Sequence, residues 1–153
     1  MRTVLLVVLA LGASTAFADP RLPSAGRFKA GKVENSSVAF DDRAEGKKIF
    51  WTFDVRTSSA MGIELTVPLT IPTTASVTSM RVKLGDQEEL FAESVAAADA
   101  RTRYEIIVSR ATDPALLEHV ADDQLRLRVF PVSQSSPATI TIELFVPGET
   151  RGA

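Results

Sequence analysis

Residues 104–132 read YEIIVSRATDPALLEHVADDQLRLRVFPV, and the order of elements in this stretch decides the architecture. Its first part continues a helical pattern. Ala97, Ala100, Tyr104, Ile107 and Ala111 recur at spacings of three and four, which is one face of an amphipathic helix. Ser94 is the N-cap residue, and Asp99, Arg101, Arg103 and Arg110 fall on the opposite face. The alanines on the buried stripe imply close approach to a surface beneath, such as a sheet. Asp113-Pro114 stops this helix, because a residue before proline disfavours the helical region. The same pair starts a second, short helix: Asp113 caps it and Pro114 takes the first helical position, with Leu116 and Leu117 as core anchors. Leu125, Leu127 and Val129 then alternate with Arg126 and Arg128 in a strand that Pro131 closes.

Outside this stretch the chain reads as strands. Residues 31–40 form a first edge strand, and residues 41–48 a polar turn. Ile49, Trp51, Phe53 and Val55 alternate with Phe50, Thr52, Asp54 and Arg56, so one face is buried. Ile63, Leu65 and Val67 repeat the pattern. Pro68 and Pro72 place the continuation at a sheet edge or outside the sheet. Met80, Val82 and Leu84 lead to Gly85-Asp86, a two-residue hairpin turn, with a return over residues 87–91. Ile140, Ile142, Leu144 and Val146 form the last strand. About seven strands with one helical insertion predict a mainly β fold. It is an antiparallel sandwich or open barrel, with a helical crossover (a helix plus a short second helix) before the last two strands.

The N-terminus has a different character. Arg2 precedes an unbroken apolar run over residues 4–11, and Ala16-Phe17-Ala18 is a small-x-small cleavage signal before Asp19-Pro20. This is the pattern of a secretory signal peptide. A membrane anchor would need roughly 20 apolar residues. The expected organisation is a signal peptide over 1–18, a flexible lead-in over 19–30, one β domain over 31–148 and a tail over 149–153. The location is periplasmic or extracellular. About 135 residues remain after cleavage, enough for an independent core.

Composition removes several functions. The 153 residues carry 17 Lys+Arg and 19 Asp+Glu, a net charge of -2, and no basic patch of the kind nucleic acid requires. Arg126 and Arg128 stand alone behind Asp122 and Asp123. No cysteine is present, so disulfides, thiolate metal sites, cysteine nucleophiles and lipid anchoring through cysteine are excluded. Asn35-Ser36-Ser37 fits a glycosylation sequon but reads as a polar loop.

Candidate chemistry is sparse. His119 is the only histidine. With Asp122 or Asp123 and a distant serine it would make a triad, but no serine sits in a G-x-S-x-G context, and a packing role fits better. The doublets Asp41-Asp42, Glu88-Glu89 and Asp122-Asp123 fall in turns or strand ends and read as solvated. None has the ligand alternation of a calcium loop. Trp51 and Phe50 must face opposite sides of their strand. With Trp51 in the core, Phe50 is either covered by the helix, the simpler account, or exposed as a contact residue; Phe145 is in the same position.

Several of these residues resemble the VIT domain, the module shared by vault-associated proteins and inter-alpha-trypsin inhibitor heavy chains and present in many bacterial exported proteins. The resemblance runs over about residues 49–146. It is carried by the "A…YE" of residues 100–105, the DPALLE block of residues 113–118 and the RVFPV strand end of residues 128–132. Val67-Pro68-Leu69 and the hairpin over residues 80–86 add weaker matches; His119 departs from the aromatic often found there. The resemblance implies a β-sandwich-like scaffold for protein–protein contact, with no catalytic, cofactor or metal site of its own. In the family a von Willebrand A domain with an Asp-x-Ser-x-Ser metal motif often follows. Here only Asp54-Val55-Arg56-Thr57-Ser58 approaches that motif, and Arg56 would repel the metal. A stand-alone exported form is expected, with a protein partner such as a von Willebrand A domain protein. The alternative is a small secreted sandwich that binds carbohydrate, or acts as a minor hydrolase, through Phe50, Phe145, Tyr104 or His119.

Overall fold

The structure, a computed structural model, describes residues 5–7, 22–92 and 115–148. Its strands are β1 (Leu5–Val7), β2 (Ser24–Ala25), β3 (Lys32–Arg43), β4 (Gly46–Arg56), β5 (Ile63–Thr70), β6 (Ser76–Leu84), β7 (Leu90–Ala92), β8 (Ala115–Ala121), β9 (Gln124–Val132) and β10 (Ala138–Pro147). They form two antiparallel sheets, one ordered β1-β3-β4-β10-β6-β7 and the other β2-β5-β9-β8. The apolar faces of both sheets meet in a single core, so the fold is a sandwich.

Period-two alternation builds that core. Register aligns inward residues in rows across the larger sheet: Trp51 beside Ile142 beside Met80, and Phe53 beside Ile140 beside Val82. Leu65, Val67 and Leu69 face Val129, Leu127 and Leu125 in the smaller one. All but a few per cent of each of these side chains is out of water. Burying one such group contributes about 1.5–3 kcal/mol. Trp51 and Phe53 pack with ring centroids 4.6 Å apart.

Two prolines sit where the ladder tolerates them. Pro68 lies inside β5, opposite Arg126 of β9, and its carbonyl accepts a hydrogen bond from Gly26 N–H at 2.8 Å. Its missing donor therefore points toward the two-residue β2 and away from the long β9 ladder. The strand expected to close at Pro131 runs on to Val132, and the β5–β9 register shifts between Ile63 and Leu65 to absorb one extra residue of β9.

Other expectations are corrected. No second short helix follows Asp113-Pro114; Ala115–Ala121 is strand β8, paired with β9 from Ala115 opposite Val129 to Ala121 opposite Gln124. Five of its seven residues, Ala115–Glu118 and Ala121, have good helix propensity and are still captured by a neighbouring strand, because tertiary pairing outweighs small intrinsic preferences. There is no helix among the described residues, and the helix expected over residues 94–111 lies outside them. The return after Gly85-Asp86 is not a two-residue hairpin. Gly85 adopts a φ of 52° in a turn closed by Gln87 N–H to Leu84 O, and pairing resumes only at Leu90 opposite Val82. Within the stretch read as a lead-in, Ser24–Ala25 pair with Thr70 and Leu69, and Leu22, Ala25 and Phe28 pack on the core.

The Asn35-Ser36-Ser37 sequence is not a loop but a bulge within β3, where the register with β4 shifts between Glu34 and Ser37. Asn35 takes a φ of 53°, a left-handed conformation that asparagine tolerates. The bulge turns Ser36 so that its Oγ accepts the Trp51 indole N–H at 2.9 Å. A buried indole donor without an acceptor costs about 1–3 kcal/mol. Ser36→Ala is therefore expected to lower unfolding stability by about that much in urea titrations. In a Trp51→Phe background the same change should cost little. An equal cost in both backgrounds would refute this assignment.

Candidate functional site

Among the described residues, two places carry concentrated polar chemistry. One is a cleft of about 460 Å³ at the end of the sandwich where β3 begins and β4 ends. Lys32, Glu34, Arg56, Thr57 and Ser58 line one wall, with Ser133, Gln134 and Pro137 on the other. Its loops are pinned by Thr57 Oγ1 donating to Ala30 O at 2.6 Å and by Gln134 N–H donating to Ser59 O at 2.7 Å. Glu34 bridges Lys32 at 2.6 Å and Arg56 Nε at 3.0 Å. The Arg56–Glu34 contact is a charge pair without hydrogen-bond alignment, since Arg56 Nε is shielded from solvent and donates to no acceptor. Ser133 Oγ lies 3.3 Å from Ser135 Oγ. This cleft can bind polar groups, and among the described residues no base stands beside its hydroxyls.

The second place is the outward face of the larger sheet. Thr139 donates to Asp54 Oδ1 at 2.8 Å, Asn35 donates to Asp54 Oδ2 at 2.8 Å, and the Thr52 and Thr141 hydroxyls lie 3.2 Å apart. Lys48 stands 2.9 Å from Glu143 Oε1, and Ser79 donates to Glu143 Oε2 at 3.2 Å. The hydrogen bond from Lys48 is the main influence holding the Glu143 carboxyl below its ordinary range. Burial opposes it, and Ser79 adds to the lowering. These contacts run across β4, β10 and β6, so they tie the sheet together on the side away from its apolar core.

The residues singled out from the sequence are scattered. His119 is exposed on β8 opposite Leu125, with no hydrogen-bond partner among the described residues. Asp122 and Asp123 form the β8–β9 turn, where Asp123 O accepts Ile71 N–H at 2.8 Å. Asp41 pairs with Arg43 at 3.1 Å and Asp42 with Lys47 at 3.6 Å; Glu89 lies 4.0 Å from Arg81. Phe50 and Phe145 are half-buried on the outward face, opposite Glu143 and Lys48 respectively, and neither lines the cleft. Tyr104 lies outside the described residues. Among the described residues no group of three or more His, Cys, Asp or Glu could hold a metal. No helix there is long and apolar enough to cross a membrane.

Arg126 and Arg128 do not stand alone. Arg126 Nε and Nη2 both donate to Glu118 Oε2, at 3.0 and 2.9 Å, and Arg128 Nε donates to Glu64 Oε1 at 3.2 Å. Glu118 is 5% exposed, a charge kept inside by its arginine fork. Both pairs form across strands, and the first exists only because residues 115–121 are a strand beside β9 rather than a helix.

The family pattern of the vault protein inter-alpha-trypsin (VIT) domain matches residues 48–144, most of the chain and nearly the whole span of the described strands from β4 to β10. The chain belongs to the VIT family. No curated protein and no solved structure matches it. The VIT domain is a protein-interaction module in general and is not a known enzyme family. Residues 115–118 of the DPALLE block lie in β8, and the RVFPV block is the end of the neighbouring β9.

The Glu143 pairing has a pH signature. A carboxylate whose folded pKa is lowered contributes stability that is fully present above its ordinary value of 4.5 and is lost as pH falls through the folded value. Glu143→Gln should therefore be less stable than the wild type at neutral pH in urea titrations, with the difference shrinking as pH drops below 4.5. A difference that stays constant through the acid range would contradict this.

Proposed function

We propose that this VIT domain is an exported, non-enzymatic interaction module that makes protein–protein contacts in the cell envelope or outside the cell. The observation that carries the reading is the family match over residues 48–144. The chemistry of the site agrees with it: the cleft has hydroxyls without a base, and His119 has no hydroxyl or carboxylate partner among the described residues. Export rests on the leader pattern of residues 1–18, with its apolar run and its Ala-Phe-Ala ending. The partner class is a protein carrying a von Willebrand A domain, the companion that accompanies VIT domains elsewhere.

Expression of the chain with its own leader in a bacterial host should yield protein outside the cytoplasm, with a mass corresponding to a start at Asp19. Titration of that protein with purified von Willebrand A domain proteins from the same genome should give saturable binding by calorimetry. A leader retained on cytoplasmic protein would remove the export half of the reading. Failure to bind any of them, together with measurable turnover of ester or glycoside substrates, would remove the interaction half.

A further inference from the structure

Under the three-residue β1, the larger sheet ends in the long strand β3. The other outer strands of the two sheets are short or guarded: β2 has two residues, β7 has three, and β8 carries Glu118 and His119. Strand β3 has twelve residues. Its ends carry the devices that discourage edge pairing, namely the bulge at Asn35 and the charges Asp41, Asp42 and Arg43. Its centre, Ser37-Val38-Ala39-Phe40, has no charge, proline or bulge. That centre is where β1 lies, antiparallel, with Leu5 opposite Phe40, Leu6 opposite Ala39 and Val7 opposite Val38. The residues occupying the edge thus belong to the leader whose removal is proposed above, and this inference rests on that reading.

We infer that leader removal opens the β3 edge to a second copy of this chain, which pairs β3 to β3 about a two-fold axis at Ala39. The pairing with β1 is centred on Ala39, and the second copy's Val38-Ala39-Phe40 takes the places of Leu5, Leu6 and Val7 in the same register. An antiparallel pair centred on one residue is self-complementary, as a two-fold interface requires. Val38 and Phe40 pack toward the core in each copy, so opposite partners bring apolar groups together on the same face. Going outward in the same register, Ser37 meets the second copy's Asp41, a hydroxyl donor facing a carboxylate, and within the ladder no charge faces a like charge. The ladder is about five residues per copy, well short of a standard interface, so the dimer is reversible and concentration-dependent.

The test uses the exported protein, with its N-terminus read by mass spectrometry. Sedimentation velocity over a range of concentrations should show the mass rising from monomer toward dimer. Ala39 lies on the outward face beside Phe50, so Ala39→Lys and Ala39→Glu leave the core untouched, and unchanged Trp51 emission verifies that both fold. Each variant alone sets like charges across the axis and should weaken dimerisation at least about tenfold. Mixing the two should restore it, because the ammonium introduced in one variant then faces the carboxylate introduced in the other. A trimmed chain that stays monomeric at every concentration, a dimer indifferent to Ala39→Lys, or a mixture that fails to recover would overturn the proposal. Retention of the leader counts against the export reading instead.

Discussion

The last strand, β10, lies in the middle of the larger sheet, between β4 and β6, and the rest of the sandwich depends on that placement. Its inward residues Ala138, Ile140, Ile142 and Leu144 are fully buried and complete the rows begun by β4 and β6. Its outward residues Thr139, Thr141 and Glu143 make the polar contacts that cross the sheet. Both faces of one strand therefore bind the same two neighbours, by apolar burial on one side and by hydrogen bonds and an ion pair on the other. Without β10 the β3–β4 hairpin and the β6–β7 pair share no ladder.

This arrangement has a kinetic consequence. The Thr52–Thr141 contact joins residues 89 positions apart. Such pairings require closing long loops before any contact stabilises them, so the fold belongs to the slow, non-local class. It also explains where the interaction surfaces can lie. The centre of the larger sheet is committed to holding the fold, and among the described residues the cleft lies at the strand ends.

How much of this was legible in the sequence follows from whether the signal was local. Strands β4, β6, β9 and β10 announce themselves because alternation is a property of consecutive residues, and the family resemblance lay in residues whose identity is visible without a structure. Strand β8 has the local signature of a helix, because Ala115-Leu116-Leu117-Glu118 follows Asp-Pro and carries good helix formers. Only the neighbouring β9, which itself had to be placed first, makes it a strand. The Arg126–Glu118 and Arg128–Glu64 pairs were invisible for the same reason: each needs a strand register that no short window encodes. The bulge that turns Ser36 toward Trp51 looked like a polar loop, since a bulge is defined by its partner strand and not by its own residues. For the site, sequence alone indicated the poverty of reactive groups. The cleft, assembled from three separate segments, was not legible at all.

Native-state hydrogen exchange of the Ile140, Ile142 and Leu144 amides tests the central placement of β10 most directly. If this strand holds the sheet together, these amides exchange only by global unfolding, with the same free energy that urea titration of Trp51 fluorescence reports. Exchange at a much lower free energy, with Trp51 still buried, would mean that β10 opens independently and that the sandwich does not depend on it.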